Sequence, residues 1–253
     1  MKSSITLASK NFLKGVLVFA FWIAVWYLAA LLTGQELLVP TPHKTFFVLV
    51  DLAKTGSFWL SVLFSTLRIV AGFLIGILIG TLGGYLSIRI KVFDAVFSPV
   101  LHIARAVPVV SFILLAYVWI KTDFIPVFIT ALMVAPIIWA TTVTAARGID
   151  NSLVEMGKVF GLSKRKIYLK IKVPQMASAY FSSVVTALGL AWKSGVAAEV
   201  ICYPQQSIGR LLYNAKTYLE TPETFALTLM VVVVSLILEK LMKHFAKRWD
   251  LNG

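Results

Sequence analysis

Six apolar runs of 20 or more residues follow one another through the chain, at about 12–33, 59–88, 93–120, 124–146, 175–201 and 222–241. A run of roughly 20 apolar residues matches the hydrocarbon thickness of a bilayer when coiled as a helix, because only a helix satisfies its own backbone there. Composition agrees: 59% of the 253 residues are hydrophobic and 14% charged, against roughly 45–50% and 25% in soluble domains. A water-soluble enzyme is excluded, since that much apolar surface cannot be buried in one core of this size. The expected fold class is an all-α membrane protein of about six transmembrane helices, a single domain over 1–253. Pro99 and Pro108 should bend or break the third run.

The net charge of +13 is distributed unevenly. An even number of spans puts both termini on one side. That side collects 16 cations from Lys2, Lys10 and Lys14, Arg89 and Lys91, the Arg147–Lys172 loop, and the tail with Lys240, Lys243, Lys247 and Arg248. The opposite side holds five: Lys44, Lys54, Lys121, Arg210 and Lys216. Cationic loops stay on the cytoplasmic face, so both termini are expected there. In a membrane chain this excess does not signal nucleic acid. The first run is too long for a cleaved signal and lacks a clear cleavage site. The single Cys202 excludes an intrachain disulfide framework, and His43, His102 and His244 show no metal-ligand spacing. No phosphate-binding G-x-x-x-x-G-K-[ST] occurs, and no nucleophile–base set. No catalytic residue and no metal site is therefore expected.

Gly72, Gly76, Gly80 and Gly84 repeat every fourth residue in the second run, as do Ser183, Ala187, Ala191 and Gly195 in the fifth. Such ridges let membrane helices approach closely, within one bundle or across a dimer seam. Outside the runs, Thr41-Pro42 starts a short interfacial helix near 43–54 that Gly56 would close, and Thr221-Pro222-Glu223 repeats the start signal.

The loop of 147–174 is the most informative polar segment. Asn151 or Ser152 can cap a helix that Gly161 breaks; Ser163 can cap a second, basic one, which Val173-Pro174 would end. By itself this could be a basic helix lying on anionic lipid. Its spacing of Glu155-Met156-Gly157, Gly161, Ile171 and Pro174 resembles the signature loop of importer-type ABC permeases, with Met156 and Gly157 in place of two alanines and Val173 in place of leucine. Leu38-Val39-Pro40-Thr41-Pro42, Thr66-Leu67-Arg68, Arg105-Ala106-Val107-Pro108, Ala191-Trp192-Lys193, Val196-Ala197-Ala198-Glu199 and Ile208-Gly209 extend the likeness over about 12–248. Together they are similar to the nitrate/taurine/aliphatic-sulfonate permease family, which often has a second proline at the position of Ala106.

The resemblance implies an importer-type ABC permease fold in a bacterial-type inner membrane. It implies a second permease copy, expected as a homodimer, two cytoplasmic ATP-binding subunits and an external substrate-binding protein. The segment from Glu155 to Gly161 would be the coupling helix. No cofactor is expected in this chain, with ATP and Mg in the partner. Imported solutes of the family are sulfonates, nitrate, bicarbonate or heterocyclic vitamin precursors. An ATP-independent transporter or channel is the alternative, although no inverted repeat and no row of acidic residues supports it.

Charges within spans cost roughly 2.5–3.5 kcal/mol each on insertion scales and mark candidate sites. Arg68 and Glu199 lie in the same third of the bilayer and are expected to pair. Arg105, Lys193 and Trp192 are candidate pathway residues; for Arg105 a structural bond to carbonyls freed around Pro108 is the rival role. Lys193 and Glu199 lie about 120° apart around their helix. Trp119, Trp139 and Trp192 can line a cavity or serve as packing residues.

Overall fold

The computed structural model describes residues 2–250, with side chains for 13–246. The side chains of Lys2, Lys10, Lys247 and Arg248, which the charge count used, lie outside the described residues. Every regular element among the described residues is a helix. Five helices are long and apolar enough to cross a membrane, and one sharply bent pair brings the number to six. The chain divides into two compact units, Met1–Trp59 with Leu211–Val231, and Leu60–Arg210 with Val232–Gly253.

In the first unit, α1 (Lys2–Thr33) leads through a turn to α2 (Pro42–Ala53). Thr41 is the extended N-cap of α2 and Pro42 fills its first turn, where a missing N–H costs nothing. Phe46 and Phe47 face outward. The helix ends at Lys54 in the right-handed helical region, and Gly56 opens the next helix instead of closing this one. Trp26 donates to the Pro40 carbonyl at 3.0 Å and stacks on Phe225 at 5.9 Å, tying the turn before α2 to the last long helix. Thr221 spends its hydroxyl on the Leu37 carbonyl, 2.7 Å away, rather than on a cap.

The second unit is built on α3 (Gly56–Arg89), α6 (Ile125–Arg147) and α9 (Val173–Cys202). The α3 glycine ridge is used within the chain. A Cβ on Gly72 would lie 2.4 Å from the Val127 carbonyl oxygen, on Gly80 2.6 Å from that of Ala135, and on Gly84 2.7 Å from Thr142 Cβ. These pairs advance together, so α3 and α6 run parallel. Helix α9 runs the other way: Gly195 sits against Ile69, and Tyr180 bonds Thr81 at 2.6 Å.

Parallel packing of α3 on α6 requires the intervening chain to return through the full thickness of the unit. It does so as α4 (Lys91–Ala106) and α5 (Val109–Trp119), bent by 106°. The expected single run at 93–120 is thus two helices. Pro108 makes the break, holding Val107 extended at ψ 131°, whereas Pro99 sits inside α4 without ending it. The α5–α6–α9 junction closes over Ile113, Ala116, Ile125, Ile129, Ala198 and Cys202. Two more helices, α10 (Ile208–Thr217) and α11 (Thr221–Asp250), complete the chain after α7 (Asn151–Val159) and α8 (Lys164–Ile167) in the loop. The expected stop at Val173-Pro174 is absent: α8 passes through a π-helical turn, Tyr168–Lys172, straight into α9. The wider turn loosens the backbone pattern just where the proline withholds its N–H.

Candidate functional site: the loop between α6 and α9, and the charges in the spans

Three adjacent polar residues compete to cap α7, and Asp150 takes the position rather than Asn151 or Ser152. Its carboxylate accepts from the Ser152 amide at 2.8 Å and from the Ser152 hydroxyl. Its own N–H donates to Gln175 Oε1 at 2.8 Å, fixing the start of α7 against the start of α9. The two Ser152 bonds hold the Asp150 carboxyl below its ordinary value of 3.8.

At its far end α7 closes in a Schellman turn. Gly161 adopts φ +68°, and the Leu162 and Gly161 amides donate at 3.0 Å to the carbonyls of Gly157 and Lys158. Gly161 supplies the left-handed conformation that a side chain resists. Gly157 supplies proximity: a Cβ there would come within 2.8 Å of Ile171 Cδ1. The signature residues Gly157, Gly161, Ile171 and Pro174 therefore form one folded unit, in which α7 lies back on the π-helical turn. Ser163 caps α8 through the Lys166 amide.

The result is a helix with two apolar faces. Val154 and Gly157 are buried inward. Leu153, Met156, Val159 and Phe160 point outward, Val159 at 86% and Phe160 at 76% exposure. Beside them a cleft of about 340 Å³ opens between Met156, Phe160, Lys170 and Pro174. Glu155 is exposed on the same helix. Outside any apolar run, an outward apolar cluster of this kind marks a surface for interaction with a protein or a membrane.

At the opposite end of the unit, Arg68 and Glu199 approach to 3.5 Å, and Glu199 is 0% exposed. The pair belongs to a larger clasp. Glu199 Oε2 accepts from the Ser65 hydroxyl at 2.5 Å and from the Gly209 amide at 3.3 Å. Ser65 accepts in turn from the Ile208 amide at 2.8 Å. Arg68 donates to the carbonyls of Gln205 and Gln206 at 2.9 and 3.1 Å, and to Asp123 at 3.2 Å. The loop so held contains two non-glycine residues with left-handed backbone, Tyr203 and Gln206. Such conformations persist where surrounding bonds over-determine them. Ser65 and Asp123 carry no spacing signal. Ser65 is legible only as the residue one helical turn before Arg68.

The other span residues separate. Arg105 lies in the last turn of α4 beside the break and donates to the Pro136 carbonyl in α6, not to carbonyls around Pro108. Lys193 is exposed on α9, while its neighbour Trp192 is 1% exposed. Trp192 packs in the core of the chain while Lys193 faces outward, because adjacent residues on a helix point about 100° apart. Trp139 is also buried, donating to Ser87 at 3.0 Å and stacked on Phe93, whereas Trp119 is exposed. No cluster that could hold a metal occurs among the described residues.

These features meet in one family. Residues 72–251 match the profile described as the binding-protein-dependent transport system inner membrane component. The chain belongs to that family, the importer-type ABC permeases. It is 29% identical over 226 residues to the Escherichia coli (strain K12) protein SsuC, a permease named for aliphatic sulfonates transport, covering 88% of this chain and 82% of SsuC. It is 25% identical to the nitrate import permease protein NrtB of Leptolyngbya laminosa, covering 76% and 69%. Among solved structures, one described as an amino acid ABC transporter with histidines superposes with a TM-score of 0.64 at 14% identity, over 81% of this chain and 98% of that one. The chain is thus a multi-span inner-membrane subunit of an ABC importer.

Proposed function

We propose that α7 is the coupling helix through which a separate cytoplasmic ATPase drives this permease. The observation that supports the reading is the outward apolar face of α7, with Val159 and Phe160 almost fully exposed in a cationic loop. The cap at Asp150 and the Schellman turn at Gly161 hold α7 at both ends. A docked ATPase could then move the helix together with α9, since the helix from Lys164 to Cys202 is unbroken. Rigid transmission of this kind converts nucleotide-driven closure into alternating access.

In this reading two copies of the chain form the pathway, each seats one ATP-binding subunit, and ATP and Mg are bound there. An external binding protein delivers the solute, and both termini face the cytoplasm. The solute is a small anion of the sulfonate or nitrate kind or a heterocyclic vitamin precursor, classes supported by the relatives' names. Arg105 and Lys193 are the cations proposed to meet it.

Co-purification with the partner ATPase tests the docking face. Val159→Asp with Phe160→Asp should abolish retention of the ATPase while the permease stays folded. Retention at the unmodified level would place the ATPase contact elsewhere than α7, and an unmodified permease that retains no ATPase would instead favour an ATP-independent transporter or channel.

A further inference from the structure

A second cavity, of about 500 Å³, lies in the same unit where α3 and α6 end and α9 begins. Its walls are mainly apolar, with Ile88, Ile149, Val173 and Phe181 among them. Two cations, Arg89 and Lys172, line it, and no Asp or Glu does. Neither cation forms an ion pair among the described residues. Arg89 lies over the Tyr85 ring at 5.4 Å, which positions the guanidinium without neutralising it. The Thr81 and Tyr180 hydroxyls, bonded to each other, add a polar point on the wall.

Two unneutralised cations beside apolar and aromatic walls complement one kind of ligand, an anion carrying a hydrocarbon tail. A bare inorganic anion would use the charges and leave the walls unfilled. The depth fits as well. Arg89 ends the α3 span, and the Thr81–Tyr180 bond, eight residues from each cation on antiparallel helices, sets Lys172 at the same level. Lipid phosphates lie at that level, and basic pockets between spans recognise their head groups.

We propose that this pocket holds an anionic phospholipid, its phosphate between Arg89 and Lys172 and an acyl chain along Val173 and Phe181. Lys172 belongs to the π-helical turn that joins the loop to α9, so the lipid pins that junction. The inference rests on the chain being a membrane permease and not on the docking of an ATPase.

The test is native mass spectrometry of the full-length permease from nanodiscs of phosphatidylglycerol and phosphatidylcholine, with retained lipids counted. Phosphatidylglycerol should be retained in preference. Arg89→Gln with Lys172→Gln should lower its retention by roughly tenfold or more, given the attraction of each cation near the surface. Ala177→Phe should lower it as well, by filling the wall while keeping both charges. The charge-conserving pair Arg89→Lys and Lys172→Arg, which keeps the fold comparable, should retain the lipid. Equal loss from Lys164→Gln with Lys166→Gln would overturn the pocket, since general loop charge would then explain retention. Equal thermal stabilisation by inorganic phosphate would overturn the lipid assignment in favour of a free anion. Undiminished retention in the Arg89/Lys172 glutamine variant would overturn the proposal outright.

Discussion

Gly72→Ala adds one methyl group where the α6 backbone comes closest to the α3 ridge. The new Cβ would stand 2.4 Å from the Val127 carbonyl oxygen and 2.8 Å from Thr130 Cβ. Neither atom is the end of a flexible side chain, so the helices themselves must separate. Ordinary contact begins near 3.5 Å, so the separation is roughly 1 Å, enough to forfeit a quarter to a half of each contact's attraction along the seam. Overpacking of this kind costs about 1–3 kcal/mol, against a helix-propensity gain of about 1 kcal/mol for replacing glycine in an exposed helix. At this distance the upper end of the cost applies, leaving a net loss of about 2 kcal/mol. In thermal unfolding of the detergent-purified permease, that loss lowers the melting temperature by about 4–8 °C. Gly189→Ala is the control, because nothing lies within 4 Å of its added methyl. A Gly72→Ala protein that melts with the wild type, or a Gly189→Ala protein that falls as far, would refute the seam.

Breaking the clasp from one side is more damaging than dissolving it. Arg68→Gln strands the Glu199 carboxylate and should destabilise the protein by about 3–5 kcal/mol; adding Glu199→Gln should recover part of that loss in the same thermal assay. The Asp150 carboxyl is held below its ordinary value of 3.8, so its capping contribution is complete above that value and disappears as pH falls through the lower folded value. Hydrogen exchange in α7 should therefore stay slow across the ordinary carboxylate range and rise only in stronger acid, and Asp150→Asn should remove that step. Gly157→Ala meets only the mobile tip of Ile171 at 2.8 Å and should leave ATPase retention nearly unchanged, whereas Gly157→Leu should displace Ile171 and weaken it.

Helix positions and their punctuation were legible where a local rule acts alone. The small-residue ridge of α3 is visible at i+4, and it packs on α6 because glycine permits backbone contact there. The cap of α7 was not legible: Asp150, Asn151 and Ser152 all suit the position, and the choice falls to a tertiary bond from Asp150 to Gln175, 25 residues away. The continuous helix through Pro174 was hidden for a related reason. Local chemistry predicts a stop, and a π-helical turn absorbs the irregularity. The charged residues at 68 and 199 stand out because hydrocarbon makes them expensive. Ser65 and the carbonyls of Gln205 and Gln206 do not, because backbone acceptors leave no trace in a residue pattern. Trp192 and Lys193 adjoin in the chain yet face core and surface, a separation that depends on which way α9 is rotated in its bundle.

The central claim is that the outward face of α7 is covered by an ATPase. The chain has a single cysteine, Cys202, and it is buried, so Val159→Cys places a unique reactive thiol on that face. Short-spacer cross-linking in membranes containing the partner ATPase should join the two subunits from position 159. It should fail from Lys121→Cys, at the opposite end of the same unit. Cross-linking from position 121 with none from position 159 would contradict the account.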